Sequence, residues 1–327
     1  MSLSLRDDSP AHVAWGLEKP GLGLSLGGAH EVGHVERQRG WIELAESIGI
    51  HSVWLPEMHF AAGVCPAPLL ELAGFAALTQ RLRFGTTSLL LPLHPPEEIA
   101  AEIAALDRIS GGRLLIGLGR GFHKRMLEAF GVNPAKKRDR FDEALERILS
   151  LWADANENAG ALATHQQPHP PLAVAAFGPK GLAQAARHGL PYLASPVETF
   201  DQIADNQARH RELLPESSAP PLSLVMRTVF VSESESDLKA ARDGLEEEMN
   251  RRRPGMPAAV NQALDAPLDA RVVLGNSNQV RDRLREDRER LGIDLLIVRP
   301  SLAGVDPAAC KASLRTLAKE IWPDVIA

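Results

Sequence analysis

The stretch PPEEIAAEIAALDRISGGRLLIGLGRG, residues 95–121, decides the fold. Pro95 and Pro96 open it, and Glu97 and Glu98 fall in a first turn where the helix dipole favours carboxylates. Ile99, Ile103 and Leu106 recur at helical spacing, so a helix is predicted over Glu97–Ile109. Gly111 and Gly112 interrupt that pattern. Arg113–Leu118 (RLLIGL) then runs apolar without alternation, as a strand covered on both faces does. A helix that leads through a turn into a two-sided strand is part of an alternating βα chain.

The rhythm continues in both directions. Upstream, strands are predicted at Gly21–Leu26, His51–Leu55 and Leu82–Leu91, with helices at Val35–Ile48 and Pro68–Thr79. Downstream come a helix over Arg138–Trp152 and strands at Leu172–Ala176, Tyr192–Ala194, Leu222–Val231 and Asp294–Val298. Helices are predicted between and after them at Pro179–His188, Phe200–Leu214, Asp237–Asn250, Asn278–Leu291 and Pro307–Trp322. Alternating units of this kind imply an α/β protein with a parallel sheet and right-handed crossovers. Eight such units close a (β/α)8 TIM barrel, and an open doubly wound sheet is the structural alternative. Residues 1–20 are polar and read as a flexible lead-in, leaving 21–327 as a single barrel domain. Arg251–Ala270, Pro-containing and rich in small residues, reads as an irregular insertion before the last strand and a candidate mobile lid.

Composition narrows the function. The 327 residues carry 36 Lys and Arg against 42 Asp and Glu, a net charge of −6 that argues against nucleic-acid binding. A hydrophobic content of 44% supports a sizeable core, yet no apolar run reaches the roughly 20 residues of a membrane helix. The N-terminus lacks the apolar stretch of a signal peptide, and two cysteines, Cys65 and Cys310, make no disulfide framework. A cytoplasmic protein is expected.

Several stretches could carry chemistry. His30-Glu31-Val32-Gly33-His34 spells the H-E-x-x-H of zinc hydrolases, although Gly28 and Gly33 flank or interrupt the helix it needs. Gly117-Leu118-Gly119-Arg120-Gly121 follows a strand without the dinucleotide spacing; its glycines admit a ligand close to backbone N–H groups, and Arg120 can pair with a phosphate. A tight turn with a surface arginine is the plain alternative. Phe177-Gly178-Pro179-Lys180-Gly181 opens a helix whose positive end suits an anion. Thr86-Thr87-Ser88 places small hydroxyl residues where a barrel strand would otherwise fill its interior. Glu57 and His59 end the second strand, at the rim where barrel enzymes do their chemistry; His94 and His123 follow the next two strands.

These segments, in this order, resemble the bacterial luciferase-like flavin-dependent monooxygenases. Gly49–Phe60, with Glu57 and His59, is similar to that family's second strand, Arg83–Pro96 to its third, and Leu106–Gly121 to its most distinctive segment. The resemblance spans about residues 21–322 and implies a TIM barrel that binds FMN, or in some branches a deazaflavin, and oxygenates a small organic substrate with reduced flavin and O2. It implies further that a separate reductase supplies the reduced flavin and that the chain pairs as a homodimer. By position, Arg120, the Gly121–Phe122 backbone and Arg138 would hold the FMN phosphate, helped by Gly178, Lys180 and Gly181. A non-prolyl cis peptide would fall at Thr87–Ser88 beneath the flavin ring, and His59 with Glu57 would stand beside the substrate. The chain departs from the light-emitting pattern at Met58, where a first histidine is usual, and at Gly119, where a reactive cysteine stands. A non-catalytic flavin-binding protein and a zinc hydrolase on His30, Glu31 and His34 are the alternatives carried forward.

Overall fold

A computed structural model describes residues 10–27, 34–60, 64–216, 220–253, 256 and 258–327. Nine parallel strands hydrogen-bond in the order β6-β5-β4-β3-β2-β1-β9-β7-β8, and β6 pairs again with β7. They are β1 (Gly21–Ser25), β2 (Ser52–Leu55), β3 (Arg83–Leu90), β4 (Leu114–Gly119), β5 (Leu172–Ala175), β6 (Tyr192–Ala194), β7 (Leu224–Val231), β8 (Val272–Gly275) and β9 (Leu295–Val298). Through the β6–β7 pairing eight of them close a (β/α)8 barrel, the architecture expected from the eight apolar runs. β8 is the ninth. Its partner is the outer half of β7, Thr228–Val231, whereas the inner half, Leu224–Arg227, pairs with β9.

The chain divides into two compact units. One takes in residues 27–46 and 52–175 and holds β2 to β5. Its helices include α2 (His34–Ile48), most of which belongs here, α3 (Pro68–Ala77), α4 (Pro96–Ile109), α5 (Lys124–Ala129) and α6 (Lys137–Glu157). On α6 the stripe Phe141, Leu145, Ile148 and Trp152 is buried, and the Trp152 indole N–H donates to Ala100 O of α4 at 3.1 Å. In β2 Trp54 is fully buried beside Gly85 of β3, its register partner; a Cβ on Gly85 would overlap the indole.

The other unit takes in residues 1–26, 47–51 and 176–327. Pro10–Trp15 forms α1 in the stretch read from sequence as a lead-in, and His12 Nε2 lies 3.1 Å from Asp294 Oδ1. The helices α7 (Pro179–Arg187), α8 (Phe200–Leu213), α9 (Glu235–Arg252), α11 (Ser277–Leu291) and α12 (Pro307–Thr316) match predicted positions; a π-helical turn continues α12 over Leu317–Ile321, and α13 (Trp322–Ile326) starts where the predicted final helix ends. α10 (Ala258–Leu264) lies in the segment read as irregular, and β8 follows it. A buried polar node ties these layers together. Glu198 accepts from the Tyr192 hydroxyl, from Ser195 N at 2.6 Å and from Asn206 Nδ2 at 2.6 Å. Arg227 of β7 donates to Glu198 O at 2.8 Å and lies over the Phe200 ring. Burial raises the Glu198 pKa to about 7, against the pull of its hydrogen bonds and of Arg227.

Candidate active site

The site is built from the ends of β2, β3 and β4, all within one unit. After Leu55 the chain turns through Pro56, and the Glu57 backbone N–H donates to Ser88 O at 3.2 Å. The Thr87–Ser88 peptide is cis, at the position the resemblance implies. The Glu57 side chain then runs along β3. Its Oε2 accepts the Leu90 N–H at 2.7 Å, its Oε1 meets His59 Nε2 at 2.7 Å, and both oxygens meet His94 Nε2 at 3.0 Å. Glu57 is wholly buried, which a carboxylate tolerates only when donors replace its water. Here three N–H groups converge on it.

An acceptor-only carboxylate fixes the protons of its partners. Each imidazole meets it through Nε2, so Nε2 carries a hydrogen, and in the neutral ring the lone pair lies on Nδ1. The His59 ring packs 4.7 Å from Phe130 and 5.9 Å from Phe60, between centroids. Phe60 is largely exposed and holds a left-handed backbone, φ 61°, uncommon for a bulky residue and a conformation that clusters at functional sites.

A second group of side chains gathers where β4 ends. Gly121 has φ +68°, so the chain bends sharply after Arg120. The Arg120 guanidinium donates to Ala175 O at 2.6 Å and lies 5.8 Å from the centre of the Phe141 ring. Lys137, at the start of α6, donates to Gly121 O at 2.7 Å. Burial, then repulsion from Arg138, lowers the Arg120 pKa to about 10, while Asp142 works the other way. Lys137 is pulled down by burial first and then by Arg138 and Arg120. Three cations thus share one corner, and a phosphate dianion among them would relieve their mutual repulsion. Nothing about Lys137 in the sequence distinguishes it from a surface lysine; only the return of the chain from Gly121 to α6 reveals its place.

Between the two groups, Thr86 Oγ1 donates to Gly117 O, whereas the buried Thr87 Oγ1 has no partner among the described residues. An orphaned hydroxyl on this strand fits a ligand with polar ring edges. Gly119 faces Ser88, and a Cβ on it would overlap Ser88 Oγ. The absence of a cysteine at 119 is therefore matched by a serine that fills its space. Phe122 is partly exposed and stacks 4.1 Å from His123.

The remaining expectations fall elsewhere. Gly178, Lys180 and Gly181 lie where α7 begins, in the other unit. His30 and Glu31 lie outside the described residues, and His34 opens α2. Met58 takes no part in the Glu57 cluster; its N–H donates to Cys65 O. Among the described residues no helix is long and apolar enough to cross a membrane.

Comparison with known proteins places this geometry among related chains. The profile of a family described as luciferase-like monooxygenase matches residues 22–295. The oxygenase component of a flavin-dependent trigonelline monooxygenase from Acinetobacter baylyi is 28% identical over 319 residues, covering 86% of this chain and 87% of that one. Among solved structures, monooxygenase RslO1 from Streptomyces bottropensis is 25% identical with a TM-score of 0.77, covering 93% of this chain and 99% of its own. The oxygenating constituent of 3,6-diketocamphane monooxygenase from Pseudomonas putida, solved with FMN, has a TM-score of 0.73 at 19% identity and covers 93% and 98% of the two chains.

Proposed function

The chain belongs to the luciferase-like monooxygenase family, and from that premise we propose that it is an FMN-dependent monooxygenase acting on a small organic substrate. The observation that carries the proposal is the corner shared by Arg120, Lys137 and Arg138, where three cations outnumber the one carboxylate beside Arg120, Asp142, and suit the FMN phosphate. Arg120 and Arg138 supply guanidinium forks and Lys137 a compact ammonium, and on the strength of the resemblance the Gly121–Phe122 backbone joins them. Thr87 and Ser88 are assigned to the flavin ring, Thr87 through its unpartnered hydroxyl. Gly178, Lys180 and Gly181 are kept as cofactor-binding residues on the strength of the resemblance.

Reduced flavin, when bound, supplies the electrons that activate O2. The protein's own residues bind, orient and exclude water around it. In this reading His59 Nδ1 is the base that takes or returns a proton beside the reacting centre, and Glu57 holds the ring in the tautomer that leaves Nδ1 available. The relative named as an oxygenase component supports a separate reductase as the source of reduced flavin, and the resemblance keeps a homodimer as the expected assembly.

Fluorescence titration of the protein with FMN tests the proposal, with a deazaflavin titration run in parallel. Tight FMN binding is expected, and an Arg120→Ala variant should bind about 10- to 100-fold more weakly, the effect of losing a hydrogen bond to a charged group. Absence of FMN binding, or preference for the deazaflavin, would overturn the cofactor assignment. Binding without reductase-coupled O2 consumption across a substrate panel would instead support the non-catalytic alternative.

A further inference from the structure

His94 follows β3 by a single turn, and its side chain reaches back to Glu57 rather than out to water. It meets both carboxylate oxygens at 3.0 Å, so it spans the pair: Oε1, shared with His59, and Oε2, shared with the Leu90 N–H. His94 also lines a groove of about 580 Å³ together with Pro96, Lys136, Asp139, Arg140 and Glu143. The two imidazoles therefore occupy opposite situations around one anion. The His59 side chain is 11% exposed among aromatic rings, and the His94 side chain is 26% exposed beside charged groups.

A relay from one histidine to the other is chemically closed. Both rings already donate through Nε2, so a proton that Glu57 took from His59 could not enter His94 at that nitrogen. What His94 can do is hold the carboxylate as an acceptor. Without it, a wholly buried carboxylate keeps only the Leu90 N–H and His59. Glu57 can then turn away from the His59 ring, whose hydrogen is no longer fixed at Nε2 and is free to move to Nδ1. The ring would then present an N–H where the reaction needs a lone pair.

We propose that His94 is a positioning residue, which acts through Glu57 to keep His59 in the Nε2–H tautomer with Nδ1 free to accept a proton. This rests on the reading of His59 as the base of a flavin-dependent site, and its test is separate from that reading.

The full-length protein labelled with 15N-histidine reports imidazole protonation directly by NMR, and a His59→Gln variant identifies the His59 signals. The wild type should show an unprotonated, pyridine-type Nδ1 on His59 at neutral pH. His94→Leu should lose that signal, with the proton appearing on Nδ1. His94→Gln, whose amide nitrogen reaches as far as the imidazole Nε2, should keep it. His94→Asn, polar but one bond too short, should behave as His94→Leu does, and it stands in if the leucine variant does not fold. A His59 Nδ1 signal unchanged in the leucine and asparagine variants overturns the proposal, as does its loss in the glutamine variant. FMN titration of the same samples keeps the two readings apart. An FMN affinity that follows the tautomer would mark a general collapse of the site and count against positioning, whereas failure of the wild type to bind FMN removes the cofactor and leaves the tautomer result standing.

Discussion

Single positions decide much of this rim, and Gly119 is one of them. Any side chain there enters the volume of Ser88 Oγ. Gly119→Ala should cost about 1–3 kcal/mol, the usual range for overfilling a packed site, and Ser88→Ala in the same chain should return part of that loss. Chemical denaturation of the two single variants and the double variant measures the coupling. Glu57, His59 and Arg120 were legible in the sequence because each stands just past an apolar run, where a barrel puts its rim. Lys137 and the bond from His94 to Glu57 were not. Those contacts join residues 16 and 37 positions apart, and no local pattern encodes which turn of the backbone brings them together.

Among elements, the network that binds β6, α8 and β7 has a pH signature. Glu198 holds its proton more tightly in the native state, with a pKa near 7 against an ordinary 4.5. Its contribution to stability is full below pH 4.5 and is lost as the pH rises through about 7, a change on the order of 3 kcal/mol. Glu198→Gln keeps the shape without the titration, so the difference in unfolding free energy between variant and wild type should move in the variant's favour from pH 5 to pH 8. Denaturant melts at the two pH values decide it; a constant difference would sink the assignment. The long helices were readable because their apolar residues recur over many positions, and the eight barrel strands because short apolar runs alternate with those helices. α5 is too short for a period to show, α10 is built of small and amide residues, and β8 is four residues whose pairing with the far half of β7 depends on tertiary structure.

At the scale of the molecule, a cofactor that binds only the native state must stabilise it. FMN at 100 times its dissociation constant should raise the unfolding free energy by about 2.7 kcal/mol, and Arg120→Ala at the same FMN concentration should forfeit about half of that gain or more. Thermal melts with and without FMN give both numbers. One feature of the second unit also bears on how such a chain can diverge. β7 divides its length between two neighbours: Leu224–Arg227 fix the barrel against β9, and Thr228–Val231 hold β8 outside it. Insertions or deletions between β7 and β9 can therefore lengthen, shorten or replace the excursion that β8 anchors without slipping the barrel's own pairing by a residue. Descendants of one ancestor could exchange that segment while inheriting the same scaffold.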